Sequence, residues 1–360
     1  MIIKNLRLSN FRNYESLDIS FSDGVNILFG DNAQGKTNIL EAVFLAATTK
    51  SVRGSKDREM IRFGQEEAHL SALIERTEMT HKIDIHLKKG RAKGLAVDGI
   101  PVRRSADLLG LLHTVSFSPE DLSMMNYGPE ERRRFYDLEL CQLDKIYCSN
   151  LSDYGKALSQ RNDLLKQIPD NPSLRDTVSV WDEQLVKFGS YLIRARKAFT
   201  EQLIPIVKEK HGSLSDGTET LELVYEPNCS EEEFRKALKQ NLERDLILKY
   251  TTVGPHRDDL SMIINGNSVK LYGSQGQKRT TALALKLSEI ELIRNSIHET
   301  PVLLLDDVLS ELDRNRQQRL LSEMEDVQTI VTCTGMEEFV SARPDGNRVF
   351  RVGGNQVELL

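Results

Sequence analysis

The sequence predicts a discontinuous α/β domain interrupted by a mainly helical second lobe. Three observations carry this reading. A short apolar run, Val25–Phe29, ends in a glycine-bearing turn and is followed by a helical stretch, Asn38–Ala47. A second apolar run, Val302–Leu305, ends in two acids, Asp306 and Asp307. Between them the texture turns to amphipathic helices. The expected domains are residues 1–125 joined with 249–360, and residues 126–248 as the inserted lobe.

Ile2–Leu8 alternates apolar and polar residues and Leu17–Phe21 is strand-like. Val25–Phe29 is a short apolar run of the kind a buried strand shows. Residues 65–115 hold further strand-like pieces, with turns at Lys89-Gly90 and at Asp98-Gly99, the latter a hairpin signal. From Pro129 onward, Tyr136, Leu140, Leu143, Tyr147, Leu151, Tyr154 and Leu158 recur at spacings of three and four. That is one helix with one apolar stripe, opened by a proline in its first turn. Pro169 and Pro172 break it. Val178, Trp181, Leu185, Phe188, Leu192, Ala195 and Phe199 form a second stripe, which Pro205 is expected to kink or end. Two such helices joined by a proline-containing turn should pack antiparallel. A third helix is expected from near Ser230, with Glu233 completing a capping box and Phe234, Leu238 and Leu242 on its apolar face.

The 360-residue chain carries 48 basic and 54 acidic residues, a net charge of −6, with 39% hydrophobic and 28% charged residues. This is the composition of a folded chain, not a disordered one. No apolar run approaches the roughly 18 residues of a membrane span. The opening MIIKNLRLSNF lacks the apolar region and cleavage site of a signal peptide. Cys141, Cys148, Cys229 and Cys333 show no CxxC spacing, which argues against a zinc ribbon or disulfide framework and for a reduced, cytoplasmic protein. The acidic balance argues mildly against simple coating of nucleic acid. Basic residues nevertheless cluster at Lys50, Arg53, Lys56 and Arg58, at Lys88, Lys89, Arg91 and Lys93, and at Arg132–Arg134. Each cluster reads equally well as a solvated face, and Arg132–Arg134 have acids at Glu130, Glu131 and Asp137 on their own helix. His69, His81, His86, His113, His211 and His298 are scattered without metal-ligand spacing. His256, after Gly254-Pro255, reads at least as well as a hydrogen-bonded turn residue as a catalytic one.

Gly30-Asp31-Asn32-Ala33-Gln34-Gly35-Lys36-Thr37 fits G-x-x-x-x-G-K-[ST] and lies between a strand and a helix, the context this motif requires. Its glycines let the backbone curl so that N–H groups face a phosphate, and the helix start adds a positive dipole end. Lys36 is expected to reach the β- and γ-phosphates and Thr37 to ligate Mg²⁺. A buried parallel strand ending at Asp306 delivers that acid to the carboxyl edge, where ligands of α/β sheets bind. Asp306 then suits Mg²⁺, directly or through water, and Asp307 suits orienting the attacking water. Asp307 is one methylene shorter than a glutamate, so slow hydrolysis is expected. Ser274 is the natural N-cap of a helix bearing Ala282, Leu285, Ser288, Ile290 and Leu292. Its hydroxyl and the N–H groups of Gly276 and Gln277 make a second anion-facing helix start. By itself that start also reads as an ordinary cap.

Ser274-Gln275-Gly276-Gln277 resembles the signature motif of ABC-type ATPases, and Ser310-Glu311-Leu312-Asp313 resembles the loop behind the second acid in that superfamily. The order of phosphate loop, helical insertion, signature, two acids and Ser-x-Leu-Asp spans the whole chain. The resemblance implies an ABC-type ATPase head using ATP and Mg²⁺. It further implies a head-to-tail homodimer in which Ser274, Gly276 and Gln277 of one subunit close the ATP of the other. Two departures are visible. Thr332, Cys333 and Thr334 stand where the superfamily carries a switch histidine, and Phe117–Asp121 contains no loop glutamine.

The opening Leu6–Tyr14 resembles the start of SMC-like DNA-repair ATPases, in which an arginine at the place of Arg12 approaches the nucleotide. Lys50–Arg53, Ser116–Leu122, Arg132–Phe135, Val253–Asp259 and Gly273–Arg279 narrow the resemblance to a family of bacterial recombination mediators. What that implies is an ATP-dependent dimer on DNA with preference for gaps and single-strand/double-strand junctions. It also implies partnership with RecR, a link to RecO and loading of RecA, and no membrane association. The expected DNA surface is a saddle lined by Lys50, Arg53, Lys56, Arg58 and the Lys88–Lys93 group, without base reading. The alternative is the ATP-binding subunit of an ABC transporter, against which the missing histidine and the Phe11–Tyr14 start count. A P-loop kinase or GTPase lacks its guanine-reading motif here, and a scaffold with a vestigial site is the non-enzymatic rival.

Overall fold

A computed structural model describes residues 1–77, 79–122, 124–126, 128–324, 326–334 and 347–360. The chain divides into two compact units, Met1–Ser123 with Arg279–Leu360, and Met124–Lys278.

The first unit holds two sheets. In chain order its strands are β1 (Ile2–Phe11), β2 (Tyr14–Ser20), β3 (Val25–Phe29), β4 (Glu67–Arg76), β5 (Met79–Lys88), β6 (Gly94–Val97), β7 (Ile100–Val102) and β8 (Thr114–Phe117). One sheet is antiparallel, in the order β2-β1-β4-β5-β6-β7. Its strands alternate as half-buried strands do: Ala68, Leu70, Ala72 and Ile74 of β4 are buried while His69 and Leu73 are exposed. Asp98 and Gly99 link β6 to β7 with φ of 52° and 77°, the left-handed pair that a two-residue hairpin turn needs.

In the second unit β9 (Leu221–Glu226), β10 (Asp259–Ile264) and β11 (Asn267–Ser268) form a small antiparallel sheet. The chain then returns to the first unit with β12 (Val302–Asp306), β13 (Thr329–Cys333), β14 (Arg348–Gly353) and β15 (Gln356–Leu359). The second sheet of the first unit has the order β15-β14-β3-β13-β12-β8, parallel except for the β14–β15 hairpin. Val302–Leu305 is buried throughout, as a strand covered on both faces must be. The helix Lys36–Thr48 follows β3, and almost every residue from Ile39 on is buried.

The helical unit departs from expectation in four places. The first stripe is two helices, Pro129–Leu143 and Lys145–Gln167. Asp144 makes the corner: its N–H donates to Leu140 O, and its carboxylate accepts from Ile146 N as the next N-cap. Val178–Leu214 is one helix that continues past Pro205 rather than ending there. Phe199, Leu203, Val207 and His211 are buried along it at four-residue spacing, and this packing outweighs the hydrogen bond that proline removes. Ser230 Oγ accepts from Glu233 N at 3.2 Å, but the helix starts only at Phe234 and stops at Gln240, leaving Leu242 to open a separate helix ending at Leu248. Finally, the return to the first unit falls at Arg279 rather than at residue 249, because β10 pairs with β9 along its whole length. Among the described residues no helix is long and apolar enough to cross a membrane, and none of the four cysteines is in a disulfide.

Charge is buried deeply in the helical unit. Arg161, fully buried, donates to Asp182 Oδ1 and Asp245 Oδ2, both at 2.7 Å, and to Thr251 Oγ1 at 2.9 Å. Arg161→Met leaves two buried carboxylates without their cation. The expected loss is about 3–5 kcal/mol, read as a lower midpoint in urea unfolding followed by far-UV circular dichroism. A change below about 1 kcal/mol would mean that the acids find other partners.

Candidate nucleotide-binding site

The parallel sheet sets the site. Phe29 pairs with Cys333 and Asp306 with Thr332, so the ends of β3, β13 and β12 lie level. The loop Gly30–Gly35 leaves β3 at this edge. Its backbone is left-handed at Ala33 (φ 64°) and Gly35 (φ 103°), which turns successive N–H groups toward one hollow. Glycine is required at Gly30 and Gly35. A Cβ on Gly30 would meet Val352 O at 2.1 Å, and one on Gly35 would meet Asn13 Nδ2 at 2.4 Å and the Tyr14 hydroxyl at 2.9 Å.

Asp31, Asn32 and Ala33 are exposed at the tip and Gln34 is half-buried. Gln34 Oε1 accepts from Gly354 N at 3.0 Å, and Asn13 Nδ2 donates to Gln34 O at 3.2 Å. Lys36 is only 4% exposed, and its ammonium donates to Gly30 O at 2.7 Å and Asp31 O at 2.9 Å. The charge therefore lies inside the loop.

Thr37 Oγ1 donates to Asp306 Oδ1 at 2.8 Å, although the two are 269 residues apart in the chain. Thr332 Oγ1 donates to the same oxygen at 2.9 Å and accepts from Asp307 N, also at 2.9 Å. Asp307 has a left-handed backbone (φ 51°), and its carbonyl accepts from Ser310 Oγ. Burial pushes the Asp306 carboxyl above the ordinary carboxylate range, against the two threonine hydroxyls and Arg53, which favour the charged form. A hydroxyl and a carboxylate held together are the hard oxygen donors that Mg²⁺ prefers.

Arg12 has its hydrogen-bond partners on Glu41, Glu59 and Ser55. Its guanidinium grips buried Glu41 with two hydrogen bonds, 2.8 and 2.7 Å, and also donates to Glu59 O and Ser55 Oγ. Four of its five N–H groups are thus directed to the protein. Thr332, offered by the sequence as a γ-phosphate donor, is committed to the two acids, and Thr334 is exposed at the strand end. Arg53 belongs to this site: its Nη1 lies 3.5 Å from Asn38 Oδ1 and its charge acts on Asp306. Glu41 escaped the sequence reading. The signal was there, an acid within the apolar run Ile39–Ala47, since a buried charge needs a partner.

Ser274, Gly276 and Gln277 lie in the other unit, at the start of the helix Gln275–Ile297. Gln277 N donates to Ser274 Oγ at 3.2 Å, and Gln277 Oε1 accepts from Ser274 N at 2.8 Å, a reciprocal capping box. Ser274 itself is exposed.

The histidines divide. His256 is a half-buried turn residue, its Nδ1 bonded to the Tyr154 hydroxyl at 2.7 Å and its Nε2 to Thr251 O at 3.0 Å, and desolvation pushes it down to about 4. His69 and His86 are not scattered. They sit opposite each other on β4 and β5 with rings stacked at 4.2 Å. With Glu67 their ligand atoms lie within 4.8 Å of one another, a grouping of metal-binding kind. Glu67 is already shared there by His86 and Lys88. Of the expected basic surface, Lys89 pairs with Glu66, and Lys93 with Asp57 and Thr49 O, while Lys50, Lys56 and Arg91 are exposed. Arg132 is buried on Asp259 and Arg133 donates to Asp258 O.

The RecF/RecN/SMC N terminal domain model matches residues 2–355. The chain is 58% identical over 358 residues to the DNA replication and repair protein RecF of Lachnoclostridium phytofermentans, covering 99% of each. It is 55% identical to that of Agathobacter rectalis, covering 100% of this chain and 99% of the relative. A solved structure of the recombination mediator protein RecF with ATPrS, in the RecFOR pathway, aligns at a TM-score of 0.92 and 36% identity, covering 100% and 98% of the two chains. The Smc head of Pyrococcus furiosus aligns at 0.56 and 16% identity, covering 99% and 95%, a likeness of fold alone. The chain therefore belongs to the RecF/RecN/SMC N terminal domain family, on its RecF branch. Its architecture is the ATPase-head fold of that family.

Ionised Asp306 is disfavoured by its burial, so its contribution opposes folding above its raised pKa and vanishes below the unfolded value. Asp306→Asn should therefore raise the thermal midpoint of the ligand-free protein at about pH 8 and leave it nearly unchanged at about pH 4, as read by differential scanning fluorimetry. An equal shift at both pH values would contradict the burial of this charge.

Proposed function

We propose that this chain is an ATP-hydrolysing DNA replication and repair protein of the recombination-mediator class, acting as a nucleotide-controlled DNA clamp. The observation that carries the reading is the Thr37–Asp306 hydrogen bond at the mouth of the Gly30–Lys36 loop, in a fold that aligns over its whole length with RecF solved with ATP. In this reading the loop N–H groups and Lys36 hold the β- and γ-phosphates. Thr37 and Asp306 hold Mg²⁺, which when bound neutralises charge building on the phosphate oxygens. Arg53 adds positive charge beside them. Asp307, held through its own N–H by Thr332, orients the attacking water. Its short reach makes turnover slow, so the ATPase times a bound state rather than driving a motor.

Ser274, Gly276 and Gln277 close the γ-phosphate of a second copy. Leu271 and Tyr272, 69% and 74% exposed, precede Ser274 and suit a surface that a second copy covers. The dimer aligns two sets of exposed Lys50, Lys56 and Arg91 on DNA. Affinity then comes from phosphate neutralisation, with preference for gaps and junctions rather than sequence. RecR is the direct protein partner, and with RecO the complex promotes RecA loading. All of this takes place in the cytoplasm.

Ser274→Arg should abolish ATP-dependent dimerisation and turnover while the monomer still binds ATP, as read by light scattering, phosphate release and a fluorescent ATP analogue. Wild-type hydrolysis by this variant would refute closure in trans. Anisotropy of a gapped duplex should rise with protein far more strongly with ATP than without it, and the binding should weaken with salt. Binding indifferent to ATP would move the regulated step to a protein partner.

A further inference from the structure

One carboxylate outside every motif holds the signature turn in shape. Gln277 Nε2 donates to Glu219 Oε1 at 2.8 Å. The other end of that amide, Gln277 Oε1, accepts from Ser274 N, and Gln277 N donates to Ser274 Oγ. Glu219 thus fixes a side chain that in turn fixes Ser274 at its backbone N–H, while the main chain of the same glutamine holds the Ser274 hydroxyl. Because Ser274 Oγ is an acceptor in this arrangement, its single hydroxyl proton remains to be donated outward. Ser274 is exposed and so presents that proton to solvent or to a ligand.

Glu219 is itself firmly placed. It lies between the long helix Val178–Leu214 and β9. Ser215 N and Gly217 N donate back to His211 O and Gly212 O, both at 2.9 Å. On the other side Thr220 N donates to Asn265 Oδ1 at 2.9 Å, and Asn265 N donates to Thr220 O at 3.1 Å. The second carboxylate oxygen, Oε2, faces His211 Nε2 at 3.6 Å. His211 is fully buried, and neither ring nitrogen has a hydrogen-bond partner among the described residues. Burial holds its pKa below the ordinary imidazole value, so the ring is a neutral wall behind the carboxylate. With one oxygen against that wall, the other is left for Gln277. An acceptor of full charge gives a shorter, stronger bond than a neutral one and offsets the rotamer freedom a glutamine loses when fixed.

We propose that Glu219 is a positioning residue for the signature turn: through Gln277 it sets Ser274 to donate its hydroxyl proton to the γ-phosphate of ATP bound by a second copy. This rests on the reading that the turn closes the nucleotide in trans, and the experiment separates the two.

Steady-state ATP turnover and binding of a fluorescent ATP analogue are measured on the full chain for wild type, Glu219→Ala, Glu219→Gln, Gln277→Leu and Ser274→Arg. Glu219→Ala should lower kcat about tenfold, the scale of one charge-assisted hydrogen bond lost, with ATP binding by the monomer unchanged. Glu219→Gln keeps an oxygen acceptor and should recover turnover to within about threefold, since a neutral acceptor retains about half of the bond. Gln277→Leu removes this link together with the bond to Ser274 N, should lose at least as much as Glu219→Ala, and reads the link should Glu219→Ala fail to fold. A purely structural role would lower the thermal midpoint without this kcat loss or its rescue. Wild-type kcat in Glu219→Ala or Gln277→Leu beside an inactive Ser274→Arg overturns the proposal and leaves the trans reading intact. So does an equal loss in the alanine and glutamine variants. Wild-type turnover in Ser274→Arg removes the trans reading and the proposal with it.

Discussion

Thr332 lies opposite Asp306 in the parallel register of β12 with β13, and Cys333 lies opposite Phe29 in that of β13 with β3. That pairing brings the phosphate loop and the two acids out at the same level of the sheet. Thr332 then holds both acids with one hydroxyl, donating to Asp306 and accepting from Asp307 N. A slip of one residue would turn Thr332 to the opposite face and take both contacts with it. Of the three residues standing where a switch histidine would be expected, Thr332 organises the acids from within the sheet.

Each of the two units uses buried charge as mortar. Arg12 and Glu41 join the β1–β2 turn to the loop helix. Arg161 and Arg196 tie the helical unit together through Asp182, Asp245, Asp137 and Asp258. Breaking such a pair is costly because the remaining charge cannot return to water, whereas the intact pair adds little over an apolar contact. What these pairs provide is a fixed geometry. In unit Met124–Lys278 Arg196 donates to Pro255 O and so fixes the Gly254–Arg257 turn.

The parts legible in the sequence are those whose determinants are local. Val25–Phe29, the glycine-bearing loop and Asn38–Ala47 announce a strand, an anion cradle and a helix within a few turns of chain. Asp306 is legible because an apolar run has nowhere to end but at a sheet edge. The rest was set by distant partners. The corner at Asp144 leaves the apolar stripe in phase on both sides, so periodicity alone runs across it. Pro205 sits in a helix held by packing that its own neighbourhood does not reveal. The return at Arg279 depends on β10 finding β9. His69 and His86 are separated by a whole hairpin and meet only through cross-strand register. Arg12 carried a motif, but its partner Glu41 lies 29 residues on, inside the helix Lys36–Thr48.

The loop is braced by residues that come late in the chain. Gly30 packs on Val352 O, Gly354 N donates to Gln34 at a separation of 320 residues, and Asn13 donates to Asn355 Oδ1. At ordinary rates of synthesis, about 5–20 residues per second, the loop emerges roughly 16–64 seconds before those braces. The unit Met124–Lys278 is continuous in sequence and is complete before β12 has been made. A growing chain can therefore fold its insertion on the ribosome while its phosphate loop still lacks a wall. In newly made protein the bracing of that loop is complete only after Asn355 has been made.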